Sequence, residues 1–258
     1  MENFAALEFN LADFSVVYQP IFNVRTGQIE KIEALMRWAK SGNVCGFIEH
    51  FEKTGQIREL TLHLIGLICE DMVDLRRTWD CPVVAINCSP SVLSDPDFVG
   101  AVINLFTARR VPPRCVEIEL TEAERLNPVA VADGVRRLSE NGHSISLDDF
   151  GAGATTLGCL VNMPIDVIKL DRCYVARVGD SETNRAILSS IAYLSRTMGI
   201  SCVVEGVETH VQMSFLKSIN MDYAQGYLLA KPLSLKHLQD MLSTMRELAT
   251  EFEYKKAG

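Results

Sequence analysis

The stretch FSVVYQPIFNVRTGQIEKIEALMRW, residues 14 to 38, decides the fold. Two apolar, strand-prone runs, 14–22 and 29–38, are separated only by NVRTGQ. So short a glycine-containing connection implies a hairpin, and hence an antiparallel pair. Downstream the pattern changes. An apolar run ends in a polar residue and a helical pattern follows, again and again: PVVAINCS (82–89), CVEIELTE (115–122), SISLDDF (144–150), IDVIKLD (165–171), SCVVEGVE (201–208) and MDYAQGY (221–227). The second hairpin strand also leads into a helix, QIRELTLHLIGLICEDMVDLRR. Helices are expected near 95–110, 128–140, 155–161, 181–199 and 234–252, with Ile187, Ile191, Leu194 and Met198 forming the core-facing stripe of the 181–199 helix.

That makes eight strands, seven of them followed by helices. Strand–helix alternation calls for a parallel sheet with helices outside. With eight strands the economical closure is an α/β, TIM-type (β/α)8 barrel, modified by a first strand that runs against the rest. The 258 residues are read as a single domain with its core at about 14–245.

Composition narrows the function classes. The chain is 48% apolar with a net charge of −8, which argues against binding a nucleic acid polymer or an anionic membrane. It leaves room for a small anionic ligand, because bound cations reverse the local sign. No apolar run approaches the roughly 20 residues of a membrane helix. The start, MENFAALEFN, has no secretory pattern, so a cytoplasmic setting is expected. The eight cysteines lack any C-x-x-C pair and read as reduced core residues.

In such a barrel the carboxyl ends of the strands converge on one face. There stand Glu33, Asn87, Glu119 with Glu122, Asp148 and Asp149, Lys169 and Asp171, Glu205 with Glu208, and Gln225. Two carboxylates about 4 Å apart repel by roughly 4 kcal/mol at an effective dielectric near 20. Five in one cleft are tolerable only if most are protonated or if cations neutralise them. An oxygen-rich, histidine-free set suits Mg²⁺ or Mn²⁺. Glu33, Asn87, Glu119, Asp148, Asp149 and Glu205 supply oxygens for two ions, a geometry suited to in-line displacement at phosphorus. Each residue also has a plain reading. Asn87 could be a turn residue, ELTE a helix cap, Lys169 a snorkelling lysine or the partner of Asp171, and Gly206 and Gly226 simple turn glycines. A polar residue closing every strand from the second to the eighth is what the plain readings explain poorly.

In order and spacing, YQPIF, EALMRW, NCSP, EIELTE, DDFGAG, IKLD, EGVE and QGYLLAKP resemble the EAL domain, over about residues 14 to 245. The resemblance implies a bacterial signalling hydrolase, a phosphodiesterase that opens cyclic di-GMP to linear pGpG with two Mg²⁺ or Mn²⁺ ions. By resemblance, Glu33, Asn87, Glu119 and Asp148 hold one ion, and Asp148, Asp149 and Glu205 the other. Lys169 orients the attacking water, Glu205 is a proposed base, and Glu33 is grouped with them. Gln19, Leu35, Arg37, Gln225 and Pro232 match positions that meet the dinucleotide; Arg37 suits a phosphate. Glu122, Glu208 and Asp171 match supporting positions, Glu122 anchoring the loop after DDFG with Thr155 or Thr156 as partner. A homodimer and a regulatory protein partner are compatible with this family. The alternative is a catalytically silent cyclic di-GMP receptor or interaction module; a different barrel hydrolase is the third reading. Two departures from the family pattern occur. The connector after Trp38 is short and lacks its usual prolines, and Ala154 stands where an aromatic is customary.

Overall fold

A computed structural model describes residues 10–39, 44–77, 79, 82–120, 128–151 and 157–257. Its sheet is a closed barrel in which eight strands neighbour one another in chain order. Strands β1 (Phe14–Asn23) and β2 (Ile29–Trp38) form the expected antiparallel hairpin, in register from Phe14 opposite Trp38 to Phe22 opposite Ile29. Asn23 turns the chain, its Oδ1 accepting from the backbone N–H groups of Arg25 and Thr26, each at 3.0 Å. The remaining strands, β3 (Val83–Cys88), β4 (Val116–Leu120), β5 (Ser144–Leu147), β6 (Val167–Leu170), β7 (Ser201–Val204) and β8 (Tyr223–Ala224), are parallel to β2. The barrel closes where β8 pairs antiparallel with β1.

Helices cover the outside: α1 (Val44–Thr54), α2 (Ile57–Leu75), α3 (Pro90–Leu93), α4 (Pro96–Ala108), α5 (Pro128–Glu140), α6 (Leu157–Asn162), α7 (Arg172–Val175), α8 (Glu182–Met198), α9 (His210–Ser218) and α10 (Leu235–Ala257). Between them and the sheet lies one apolar core that includes Ile32, Ile65, Ile86, Leu120, Leu147 and Leu170. Local signals set the helix starts. Asp95 caps α4 ahead of Pro96, and Thr209 and Gln212 form a reciprocal capping box on α9.

The structure adds one element to the sequence expectations and revises three of them. The connector after Trp38 holds α1, because Phe47 and Phe51, one turn apart, pack on the stacked rings of Phe14 and Trp38. The fully buried stripe of α8 is Leu188, Ala192 and Ser195; of the expected set Ile191 packs partly buried against the core, Leu194 is half-buried, and Ile187 and Met198 are 38% and 42% exposed. Gly226 is more than a turn residue: a Cβ there would sit 2.2 Å from the Val207 backbone nitrogen. Finally, Cys69, Cys88, Cys159 and Cys202 are buried free thiols and Cys173 an exposed one, but Cys115 is disulfide-bonded. Among the described residues no helix is long and apolar enough to cross a membrane.

Candidate functional site

Strand alternation points every second residue into the barrel. Register and closure then bring residues at the ends of seven strands, β2 to β8, to one spot. Lys169 of β6 stands at its centre, 1% exposed. Its Nζ donates to Glu119 Oε1 and lies 2.6 Å from Glu205 Oε1, 3.2 Å from Glu33 Oε2 and 3.7 Å from Asp148 Oδ1. Glu33 is further held by Asn87, which donates Nδ2 to Oε1 at 3.2 Å, and by Gln225, which donates Nε2 to Oε2 at 2.8 Å. Glu33, Asn87, Glu119, Asp148, Lys169, Glu205 and Gln225 are therefore neighbours, as the strand-end reading expects.

The charges do not balance. One ammonium faces four carboxylates, and Glu119 is fully buried. Burial, reinforced by Glu33, Asp148 and Glu205, drives the Glu119 carboxyl well above its ordinary range in spite of Lys169. Burial also pushes Glu205 up to about 7, with Lys169 opposing and Asp148 adding. Glu33 goes the other way. Burial would raise it, but Lys169, Gln225 and Asn87 outweigh that and hold it low. Burial disfavours the charged form of Lys169, yet the four carboxylates keep it protonated. Four oxygens of the cluster are buried without a hydrogen bond: Glu119 Oε2, Asp148 Oδ1, Glu205 Oε1 and Gln225 Oε1, those of Asp148 and Glu205 facing Lys169 as ion pairs. Glu119, Asp148 and Glu205 each offer an oxygen within 4.8 Å of the other two.

Asp149 sits beside this group but is exposed, on a left-handed turn at φ 49°. Burial and then the nearby Asp148 raise its carboxyl. Asp171 does not pair with Lys169; it caps α7, accepting from the Cys173 backbone N–H at 2.9 Å. Glu122, Thr155, Thr156, Ala154 and residues 40–43 of the connector lie outside the described residues.

Two cavities flank the cluster. One, of about 350 Å³, runs from Glu33, Asn87, Asp148 and Asp149 past Leu35 and Arg37 to apolar side chains of α1 and α2. The other, of about 300 Å³, is bounded by Gln19, Asp171, Glu205, Glu208 and Gln225. Arg37 rests Nη1 on the Met36 carbonyl at 2.8 Å, and Gln19 donates to the Ala230 carbonyl at 3.1 Å. Pro232 is half-buried at the edge beside β1 and lines neither cavity. It precedes Leu233, which exchanges two 2.8 Å backbone bonds with Tyr18.

Sequence reasoning missed the apolar extension onto α2, because helix positions such as Ile57, Leu60 and Leu64 read as ordinary core. It also missed a second ion pair, Lys31 to Glu117 at 2.6 Å, two residues before Glu33 and Glu119 on the same strands. The alternation Lys31-x-Glu33 and Glu117-x-Glu119 carries that signal.

The EAL domain family model matches residues 5–232. The probable cyclic di-GMP phosphodiesterase PdeB of Escherichia coli (strain K12) is 32% identical over 225 residues, 86% of this chain and 43% of PdeB. The cyclic di-GMP phosphodiesterase NbdA of Pseudomonas aeruginosa is 32% identical over 235 residues, 89% of this chain and 30% of NbdA. The chain thus spans less than half the length of these curated relatives. Among solved structures, the EAL enzyme Bd1971 in its cAMP- and cyclic-di-GMP-bound form superposes with a TM-score of 0.84 at 27% identity, covering 90% of this chain and 65% of that one. The PaMucR phosphodiesterase in complex with c-di-GMP gives 0.79 at 28% identity, covering 88% and 94%. A closed barrel with a reversed first strand, an acidic cluster at its mouth and a family match over most of the sequence together establish that this chain belongs to the EAL domain family.

Proposed function

We propose that the chain is a metal-dependent phosphodiesterase that hydrolyses cyclic di-GMP to linear pGpG and so lowers second-messenger signalling. The observation that carries this is the unbalanced, partly unbonded oxygen cluster around Lys169. Its donors are hard oxygens with no histidine, and the unsatisfied Glu119 and Asp148 oxygens fit a divalent cation. Glu33, Asn87, Glu119 and Asp148 would hold one Mg²⁺ or Mn²⁺, and Asp148, Asp149 and Glu205 a second. Such ions supply Lewis-acid polarisation of a phosphate oxygen and lower the pKa of a bound water.

The chain's own groups do the rest. Lys169 Nζ donates to the attacking water oxygen and fixes its orientation. Glu205, whose Oε1 lies 2.6 Å from Lys169 Nζ, takes the water proton. The new bond joins that oxygen to phosphorus. Because pGpG keeps a 5′ phosphate, the bond that breaks is to the ribose 3′ oxygen, which leaves with a proton. Arg37, Gln19, Leu35 and Gln225 border the groove where the dinucleotide would lie, with the Arg37 fork available to a phosphate, and Pro232 would meet the ligand only at the rim beside β1. Glu208 and Asp171 line the far wall. The names of PdeB, NbdA and PaMucR and the cyclic di-GMP bound to Bd1971 support this substrate.

Chromatography of cyclic di-GMP incubated with protein and Mg²⁺ or Mn²⁺ tests the reading. pGpG is the expected product, and Asp148→Ala should cut turnover by at least about a thousandfold. Binding without turnover in both metals would overturn it in favour of a silent receptor.

A further inference from the structure

We propose that Tyr174 is a positioning residue: its hydroxyl fastens the turn after β5 to α7 and thereby holds Asp148 and Asp149 in register for divalent cations. The inference rests on the phosphodiesterase reading above. Within four residues this turn adopts two left-handed conformations, Asp149 at φ 49° and Gly151 at φ 83°. Such a turn persists only if its surroundings hold it. Three contacts do so. The Asp148 N–H donates to the Leu120 carbonyl at 3.1 Å, the Phe150 N–H donates to the Lys169 carbonyl at 2.9 Å, and the Tyr174 hydroxyl donates to the Gly151 carbonyl.

The first two contacts are backbone ties to neighbouring strands. The third is a side-chain tie to a separate element. Gly151 is favoured by its φ of 83°, and a Cβ there would also stand 2.3 Å from the Tyr174 hydroxyl oxygen and displace the contact. Tyr174 is itself braced. Asp171 caps the start of α7, and Asn184 of α8 donates Nδ2 to the carbonyls of Cys173 and Tyr174 at 3.1 and 3.0 Å. Ser181 in turn holds the Asn184 side chain at 2.8 Å. A chain of contacts therefore runs from the start of α8 through Tyr174 to the carboxylates. Losing the hydroxyl would free Gly151 and let Asp149 relax out of its left-handed geometry, while the ring still packs.

The test is Tyr174→Phe, with Tyr193→Phe, an exposed tyrosine of α8, as control. Calorimetric titration with Mn²⁺ alone should show affinity weakened about threefold to tenfold in Tyr174→Phe and unchanged in the control. Hydrogen exchange of the metal-free protein should quicken at residues 148–151 with little change elsewhere. Activity should follow with a split: more Mn²⁺ for half-maximal turnover, but kcat near the parent's at saturating metal. Parent-like Mn²⁺ affinity and exchange in Tyr174→Phe would overturn the inference while leaving the phosphodiesterase reading intact. So would a kcat deficit that saturating metal does not repair, since that marks loss of folded enzyme. If the parent binds no Mn²⁺ and turns over nothing, both fall together.

Discussion

The inside of the barrel has two floors, and they treat charge in opposite ways. The upper floor holds four carboxylates around one ammonium and leaves oxygens unbonded. Two residues earlier on the same strands, Lys31 meets Glu117 one to one, under the ring of Tyr223 at 5.0 Å, beside an apolar patch of Ile21, Val167 and Val203. The lower floor is balanced in charge, although Glu117 Oε1 is also buried without a hydrogen bond. The upper is short of positive charge and cannot be neutral with the chain's own groups unless carboxylates take up protons. Such an imbalance, next to a charge-balanced pair, is what the proposed cations would relieve.

The sharpest way to break this contrast is Lys169→Met. Turnover should fall about a hundredfold to ten-thousandfold, as expected for loss of a water-orienting group. Without metal the variant should also lose about 3–5 kcal/mol, since Glu119 is left buried and uncompensated. Denaturation with and without Mn²⁺ should then show a larger metal-induced rise in Tm than in the parent. An equal rise would mean that cations do not enter this floor.

Lys31→Met should cost a similar 3–5 kcal/mol by stranding Glu117, which is 1% exposed. The double variant Lys31→Met/Glu117→Leu should recover most of that stability in urea unfolding and keep its turnover, because an apolar pair can replace a closed ion pair. No apolar replacement on the upper floor should restore activity. Failure of the rescue would show that the lower pair, too, serves the chemistry.

Two smaller effects lie outside the barrel. Tyr18 donates to Asp71 of α2 at 2.6 Å, and burial followed by Tyr18 and neighbouring acids governs that carboxyl. Tyr18→Phe should cost about 1–3 kcal/mol in chemical unfolding with kcat/KM unchanged. His143 is buried against Phe106, its Nδ1 bonded to the Leu138 carbonyl at 3.1 Å and its Nε2 without a partner. Burial lowers its pKa below the usual 6.5 despite that carbonyl. The folded state therefore binds the proton less well than the unfolded chain. Its contribution is complete above pH 6.5 and is lost as pH falls from there toward the lowered value. The loss of Tm at descending pH should be smaller in His143→Gln than in the parent; parallel curves would refute this.

Much of this was legible beforehand. The six-residue connection at 23–28 imposed the hairpin, and strand–helix alternation supplied the parallel remainder, because both are local consequences of turn length and side-chain period. Even the site's members could be read, since each ends its own strand. The helix hidden in the connector could not, because its amphipathic pattern is brief and its reason for forming is a set of rings on β1 and β2. Nor could the α8 stripe, where docking on the sheet buries Ala192 and Ser195 and leaves Ile187 and Met198 exposed.

Local order along the chain was enough to say which residues reach the barrel mouth. Only closure of the sheet decided which of them share Lys169, because strands remote in sequence, from Glu33 to Gln225, come within hydrogen-bonding distance only when the barrel's register is complete. The sign of φ at Asp149, set by contacts to Leu120, Lys169 and Tyr174, decided that one aspartate of the pair turns inward and the other toward solvent. Period and turn length are short-range properties written in adjacent residues, whereas charge pairing depends on distances that no single segment contains.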